Sequence, residues 1–291
     1  MSSSSSERPT PRDHARVNVD GTRAVVEAAG RAGVRRFVHL SSVAVYGMPE
    51  VGTVDESFPF VPTDEPYALT KRLAEEVAFR RGGELGMAVA AVRPPIIFGK
   101  YDRVFLPRAL ETLRAGRAVY VDGGRAPLNC VSASDVVDVM LRCAQAKAAA
   151  GQAFNVAAWP PPSLREVLDT IADAARLPRP RISLPKGLAF GLAHLMELGA
   201  RVRPGAEPPP LTPFVVRRFT RYVVYDASKA RRTLGFSGGE RPLDELARLT
   251  ARLLERGAEG SASRGVGEGA ASPPQPATEA TLFSSEGPRA G

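Results

Sequence analysis

Arg36-Phe-Val-His-Leu-Ser-Ser-Val-Ala-Val-Tyr-Gly47 is the stretch from which the architecture reads. Its start is a short run of strand-forming residues closed by two serines, so a strand is expected over Arg36–Ser41. After a loop, Pro66-Tyr-Ala-Leu-Thr-Lys71 opens a helix expected to run to Arg81. Asp64 and Glu65 stand at its positive end and Pro66 in its first turn, where a missing N–H costs nothing. Met87-Ala-Val-Ala-Ala-Val-Arg93 then reads as a second, fully buried strand. Continuous apolar strands alternating with helices indicate a parallel sheet covered on both faces.

Working outward, Asn18 to Gly30 has helical periodicity, with Val19, Val26 and Ala29 on one side and a stop at Gly30 or Gly33. Downstream, helices are expected at Val104–Ala115 and at Asp135–Ala146, the second capped by Ser134 or Asp135. Phe154-Asn-Val is a last short strand. From Gln152 onward the texture changes to a helix at Ser163–Arg176, a very apolar helix at Gly187–Val202 and a proline-rich linker at Pro204–Pro213. A strand at Tyr222–Tyr225 and helices at Ala227–Leu234 and Pro242–Glu255 complete this half, which reads as a smaller mixed lobe. Trp159, beside three prolines, is expected to pack the lobe, and His194 to be a packed or surface histidine.

Composition narrows the class. The 291 residues, 44% of them hydrophobic, can bury one substantial core or a core with a smaller lobe. No apolar run approaches the roughly 18 residues that span a bilayer. The serine-rich start has neither the basic end nor the apolar middle of a signal peptide, so a cytoplasmic chain is expected. Cys130 and Cys143 form no CxxC pair, and neither a disulfide nor a metal site is implied. The net charge of +8 is spread over scattered arginine pairs rather than one stripe with interleaved aromatics, which sets nucleic acid aside as a partner. Residues 257–291 carry almost no large apolar side chains and are expected to be disordered; Gly265, Gly267 and Ala270 match a dinucleotide fingerprint there only by chance.

The chemistry lies in three short patterns: Asn18-Val-Asp-Gly-Thr22, the Ser-Ser-Val-Ala-Val-Tyr-Gly segment, and Tyr67-Ala-Leu-Thr-Lys71. Tyr67 and Lys71 are four apart on one helix and face the same point. A free phenol titrates near about pH 10 and is useless for proton transfer at neutrality; a lysine cation held close favours its phenolate. Ser42 lies just past the carboxyl end of a strand, where ligands sit in open parallel sheets, and its hydroxyl can polarise a carbonyl.

In this order the patterns resemble the extended short-chain dehydrogenase/reductase family, in its NAD-dependent epimerase/dehydratase and 3β-hydroxysteroid dehydrogenase group, from about Arg12 to Leu254. The resemblance implies an α/β fold, a truncated Rossmann-type parallel sheet with a smaller mixed C-terminal substrate lobe. Residues 1–12 are then a disordered tail, 13–157 a partial dinucleotide-binding domain with the catalytic residues, and 158–256 the substrate lobe. Ser42, Tyr67 and Lys71 match the family's catalytic triad, Asn18 its active-site asparagine, and Tyr67 and Lys71 also its cofactor contacts. The Arg93-Pro-Pro-Ile-Ile-Phe-Gly99 segment matches the loop that meets the nicotinamide, pointing to Pro95 and Ile96. Val131-Ser-Ala-Ser-Asp135 matches a segment bordering the substrate pocket, and Asp226-Ala-Ser-Lys-Ala-Arg231 with Leu-Gly-Phe a late signature that packs and caps.

Two departures shape the expectations. The glycine-rich loop and first four strands of the family would lie before Asn18, where only seventeen residues stand, so an incomplete start is expected rather than a small evolved enzyme. The sheet edge beside Arg36–Ser41 would then expose Phe37, Val38 and Leu40. Leu128 and Ile96 stand where nucleotide-sugar members carry arginine and asparagine, which tilts the substrate toward something apolar. The resemblance thus implies NAD or NADP as cofactor, a small-molecule secondary alcohol or ketone as substrate, a sterol-like 3β-hydroxyl among them, and a homodimer or a membrane-surface contact as further partners to test. A nucleotide-sugar epimerase or dehydratase and a non-catalytic binding protein are the alternatives.

Overall fold

A computed structural model of the chain describes residues 10–201, 211–239 and 241–264. Its strands are β1 (Arg36–Leu40), β2 (Val51–Val54), β3 (Ala88–Arg93), β4 (Ile96–Phe98), β5 (Tyr120–Val121), β6 (Cys130–Ser132), β7 (Gln152–Asn155), β8 (Ser183–Leu184) and β9 (Tyr222–Tyr225). The helices are α1 (Pro11–His14), α2 (Gly21–Arg31), α3 (Pro66–Glu84), α4 (Phe105–Arg114), α5 (Ala133–Gln145), α6 (Leu164–Ala174), α7 (Lys186–Arg201), α8 (Pro213–Phe219), α9 (Ser228–Leu234) and α10 (Pro242–Arg264).

The central sheet is parallel, in the order β1-β3-β7, with Phe37 opposite Val89 and Ala90 opposite Gln152. This is the α/β arrangement read from the apolar strands. Successive β1 side chains go to opposite faces, as strand geometry requires. Phe37 packs with Val26, Ala78, Met87 and Val89 under α2 and α3, whereas Val38 packs with Val136, Val139 and Phe154 under α5. Three two-stranded parallel pairs, β2-β9, β4-β6 and β5-β8, carry the chain from this sheet into the second lobe. A separate core there joins Phe98, Leu106, Leu110, Val167, Ile171 and Leu246 from β4, α4, α6 and α10.

Several boundaries differ from the sequence reading. The first helix begins at Pro11, not Asn18, because Thr10 and Asp13 form a capping box: the Thr10 N–H and hydroxyl both donate to the Asp13 carboxylate, and the Asp13 N–H donates to Thr10 Oγ1. Residues 10–12 are therefore ordered by a cap rather than part of a disordered tail. The helix continues through a π-helical segment, Ala15–Asp20, in which the Gly21 N–H reaches the Arg16 carbonyl five residues back, and it ends before Gly33, whose φ of 69° favours glycine. Ser132, not Ser134 or Asp135, caps α5, its Oγ accepting from the Asp135 N–H at 3.0 Å. Helix α10 extends to Arg264, so residues 257–264 are helical instead of disordered; 265–291 lie outside the described residues. The linker expected at Pro204–Pro213 lies mostly outside them too, and Pro213 opens α8.

Other expectations change in kind. Trp159 is 47% exposed, so it is not a lobe-packing residue, although its N–H donates to the Gly239 carbonyl. Helix α7 buries only its small residues Ala189 and Ala193 and turns Leu188, Leu192, Leu195 and Leu198 to solvent. His194 lies on that exposed helix, its ring nitrogen Nδ1 bonded to the Phe190 carbonyl. Among the described residues no helix is long and apolar enough to cross a membrane. At the sheet edge the expected row is only partly exposed: Phe37 and Val38 are half-buried under their helices, while Leu40 is exposed, as are Val17 and Val25 on the adjoining helix. Both cysteines are free and buried.

His39, between half-buried Val38 and exposed Leu40, is buried and its Nε2 has no hydrogen-bond partner. Burial, reinforced by the Lys71 ammonium, pushes its imidazole from 6.5 down to about 4. The unfolded chain therefore binds the proton more readily, so this contribution to stability is complete above pH 6.5 and is lost as pH falls toward 4. The full effect is on the order of 3 kcal/mol. Urea unfolding across this window should show a steeper acid loss in the wild type than in His39→Leu; parallel curves would refute the assignment.

Candidate active site

The carboxyl end of β1 is where the candidate residues gather. Parallel pairing carries β1 to Leu40, the Ser41 N–H continues the ladder to the Val92 carbonyl at 2.8 Å, and the chain then turns sharply. Ser42 caps that 3-10 turn, Val43–Tyr46, its Oγ accepting from the Ala44 N–H at 3.2 Å. The Val43 N–H donates to the Pro94 carbonyl at 3.1 Å, which ties the Ser42 segment to the Pro94-Pro95 loop between β3 and β4.

Helix α3 supplies the other groups. Pro66 occupies its first turn, and Glu65 caps it by accepting from the Ala68 N–H at 3.0 Å. Lys71 reaches over β1 and donates from Nζ to the Leu40 carbonyl at 2.9 Å, two residues before Ser42. Tyr67 lies one turn earlier on the same helix, with the His14 ring edge-on at 6.3 Å between centroids. Asn18, in the π-helical segment, donates from Nδ2 to Thr70 Oγ1 at 3.0 Å, and Thr70 in turn donates to the Pro66 carbonyl. The structure thus brings Lys71 to the strand end bearing Ser42, and Asn18 to the helical turn bearing Tyr67 and Lys71.

The position of α3 is held by a buried polar network that the sequence reading missed. Arg93, at the end of β3, forms a two-pronged ion pair with Glu75, one turn beyond Lys71; the Nε–Oε2 contact is 3.0 Å. Its Nη1 donates to the Tyr46 hydroxyl at 2.8 Å, and Tyr46 donates to Asn155 Oδ1 at 2.7 Å. Burial pushes the Tyr46 phenol up to about 12, so it remains a neutral donor here. His14 was missed as well, because it lies before Asn18, where the helical periodicity was read to begin.

Pro95 and Ile96 follow Arg93 and are half-buried, with the Ile96 side chain packed against the second core. Leu128 is buried in that same core among Phe98 and Leu164. The Leu128 side chain is therefore taken up by the core, whereas Ile96 stays half-exposed at its edge. Ser132 and Asp135 of the Val131–Asp135 segment line a small hollow with Arg241, Glu245 and Arg248. The late signature packs and caps as read: Leu234 and Phe236 are buried in the first core, and Gly235 ends α9 with φ 64°.

In open parallel α/β sheets ligands bind outside the carboxyl ends of the strands, which is where Ser42 and Lys71 lie. The chain belongs to the NAD dependent epimerase/dehydratase family, whose model matches residues 2–157. It is 30% identical over 257 residues to a 3beta-hydroxysteroid-dehydrogenase/decarboxylase of Arabidopsis thaliana, covering 81% of this chain and 58% of that one. A 4-hydroxy-2-methyl-3-oxo-4-farnesyl-3,4-dihydroquinoline-1-oxide ketoreductase of Stigmatella aurantiaca is 33% identical over 237 residues, 80% of this chain and 70% of that one. A short-chain dehydrogenase/reductase superfamily protein of Agrobacterium tumefaciens, solved with bound NAD, superposes with a TM-score of 0.60 at 25% identity, covering 88% of this chain and 79% of that one. The chain thus spans little more than half the length of the Arabidopsis relative.

Proposed function

We propose that this site transfers a proton to or from the oxygen of a secondary alcohol or ketone in an NAD(P)-dependent oxidation–reduction. The observation that carries the reading is the Lys71 ammonium fixed at the carboxyl end of β1, beside Ser42, on the helix that also carries Tyr67. In the oxidising direction Tyr67 accepts the hydroxyl proton, Lys71 stabilises the phenolate, and Ser42 donates to the same substrate oxygen. Asn18 steadies the first turns of α3 through Thr70. A nicotinamide cofactor, when bound, accepts or gives the carbon-bound hydride. The relatives named as hydroxysteroid dehydrogenases and ketoreductases support an apolar ring or alkyl substrate.

The donor set fits half of the cofactor. Lys71, Tyr67 and the backbone at Pro95–Ile96 suit a nicotinamide ribose and carboxamide. Among the described residues no glycine-rich turn leads from a strand into a helix N-terminus to hold a pyrophosphate. Contacts on half a ligand must overcome the association entropy of the whole, so the 291-residue chain should bind NAD(P) with a Kd of about a millimolar or weaker. Calorimetric titration checks this, and micromolar binding would show a phosphate site elsewhere. The reaction itself is tested at millimolar cofactor with nicotinamide-deuterated NADPH and cyclic or alkyl ketones. Deuterium on the carbinol carbon is the expected result; unlabelled ketone recovered throughout would overturn the reading.

A further inference from the structure

The continuous helix formed by α1, the π-helical segment and α2 makes three contacts with α3 that regular helical geometry cannot deliver together. The His14 ring meets the Tyr67 ring edge-on, Asn18 donates to Thr70 Oγ1 at 3.0 Å, and fully buried Val26 packs in one cluster with Ala78. The partners climb α3 in the same order, from Tyr67 to Thr70 to Ala78, so the two helices run parallel. A regular α-helix turns by about 100° per residue, which would point Asn18 about 80° and His14 about 120° away from Val26.

The π-helical segment Ala15–Asp20 removes the mismatch. Its wide turn, in which the Gly21 N–H reaches the Arg16 carbonyl, absorbs one residue. With that residue taken up, both Asn18 and His14 come within about 30° of Val26, and all three face α3. Val17, inside the same segment, is turned to solvent. The Thr10–Asp13 capping box fixes the turn from which His14 projects. Wide turns of this kind occur mostly at functional sites, and this one aims a half-buried imidazole at the turn of α3 that carries Tyr67.

Tyr67 is the second residue of α3, so no earlier turn of that helix lies beneath its ring. The His14 ring stands against it instead, at 6.3 Å between centroids and 70° between planes, an edge-on geometry that aromatic pairs favour. We infer that His14 is a positioning residue, whose ring holds the Tyr67 phenol toward the strand end that bears Ser42 and receives Lys71. The role calls for a flat ring at this place and not for its charge, so phenylalanine can fill it and alanine cannot. It rests on the proton-transfer reading above, in which Tyr67 carries the proton, whereas the ring contact itself can be measured without turnover.

Proton–carbon NMR of the tyrosine rings in the 291-residue protein reads the contact, the Tyr67 signal being the one lost in Tyr67→Phe. His14→Ala should move that signal, and an unmoved signal would overturn the inference. With cyclohexanone as substrate at millimolar NADPH, His14→Ala should lower kcat about tenfold to a hundredfold, the scale of a misplaced reacting group, and leave the ketone KM unchanged. His14→Phe should recover most of the loss, and His14→Leu, which fills the space without a ring, should not. In a Tyr67→Phe background His14→Ala should alter the residual rate by less than about twofold, because no hydroxyl remains to be placed. An equal loss in both backgrounds would overturn the inference in favour of a general structural role. Full activity in His14→Ala beside a crippled Tyr67→Phe would overturn it and leave the proton-transfer reading standing. An unimpaired Tyr67→Phe would overturn both.

Discussion

Tyr67→Phe should lower ketone reduction at limiting NADPH by about a hundredfold to ten-thousandfold, the range general acid–base groups contribute, with unfolding midpoints unchanged. The substitution removes only the hydroxyl, so the packing of α3 and the pocket's shape survive. Lys71→Ala is expected to act differently, because Lys71 bonds the Leu40 carbonyl and, in the proposed reading, also meets the nicotinamide ribose. It should reduce turnover and weaken cofactor binding together, where Tyr67→Phe leaves cofactor binding in place. Steady-state rates and cofactor titrations on both variants separate the two roles. Near-normal turnover in Tyr67→Phe would mean that the Tyr-x-x-x-Lys spacing is accidental.

The largest effect on stability should come from Arg93→Met. Arg93 and Glu75 are only 14% and 8% exposed, so removing the guanidinium strands a buried carboxylate and the Tyr46 hydroxyl together. Breaking such a pair from one side costs about 3–5 kcal/mol. Tyr46 passes the strain to Asn155, whose amide donates to the carbonyls of Val54 and Asp226 and so joins the central sheet to the β2-β9 pair. Urea unfolding should show the loss, and the double substitution Arg93→Met with Glu75→Leu should recover part of it, since neither charge is then left alone. A single-variant loss below about 1 kcal/mol would show that water reaches the pair and screens it.

The fold was legible where local physics and tertiary demand coincide. β1, β3 and β9 are short apolar runs that only a sheet interior or edge can use, and Pro66 with Glu65 marks the start of α3 in sequence and structure alike. The π-helical segment at Ala15–Asp20 was hidden because one extra residue per turn shifts the periodicity that a helical reading relies on. The Thr10–Asp13 capping box was visible in principle, but the adjoining serine tract disguised it as part of the tail. Tyr67, Lys71 and Ser42 stood out because the chemistry constrains their spacing along the chain. Arg93 and Glu75 did not, since their meaning depends on which buried groups the fold sets opposite them. Leu128 shows the converse: read as a pocket residue by position, it is a core residue by packing.

The distance between Ser42 Oγ and Tyr67 Oη in a crystal structure of the chain with a bound ketone tests the central claim most directly. Two hydroxyls that each donate to one substrate oxygen at about 2.8 Å lie no more than about 5.6 Å apart. A separation within that limit, with the Lys71 ammonium on the same side of β1, is the expected result. Hydroxyls on opposite faces of the sheet, or too far apart to share one oxygen, would contradict it.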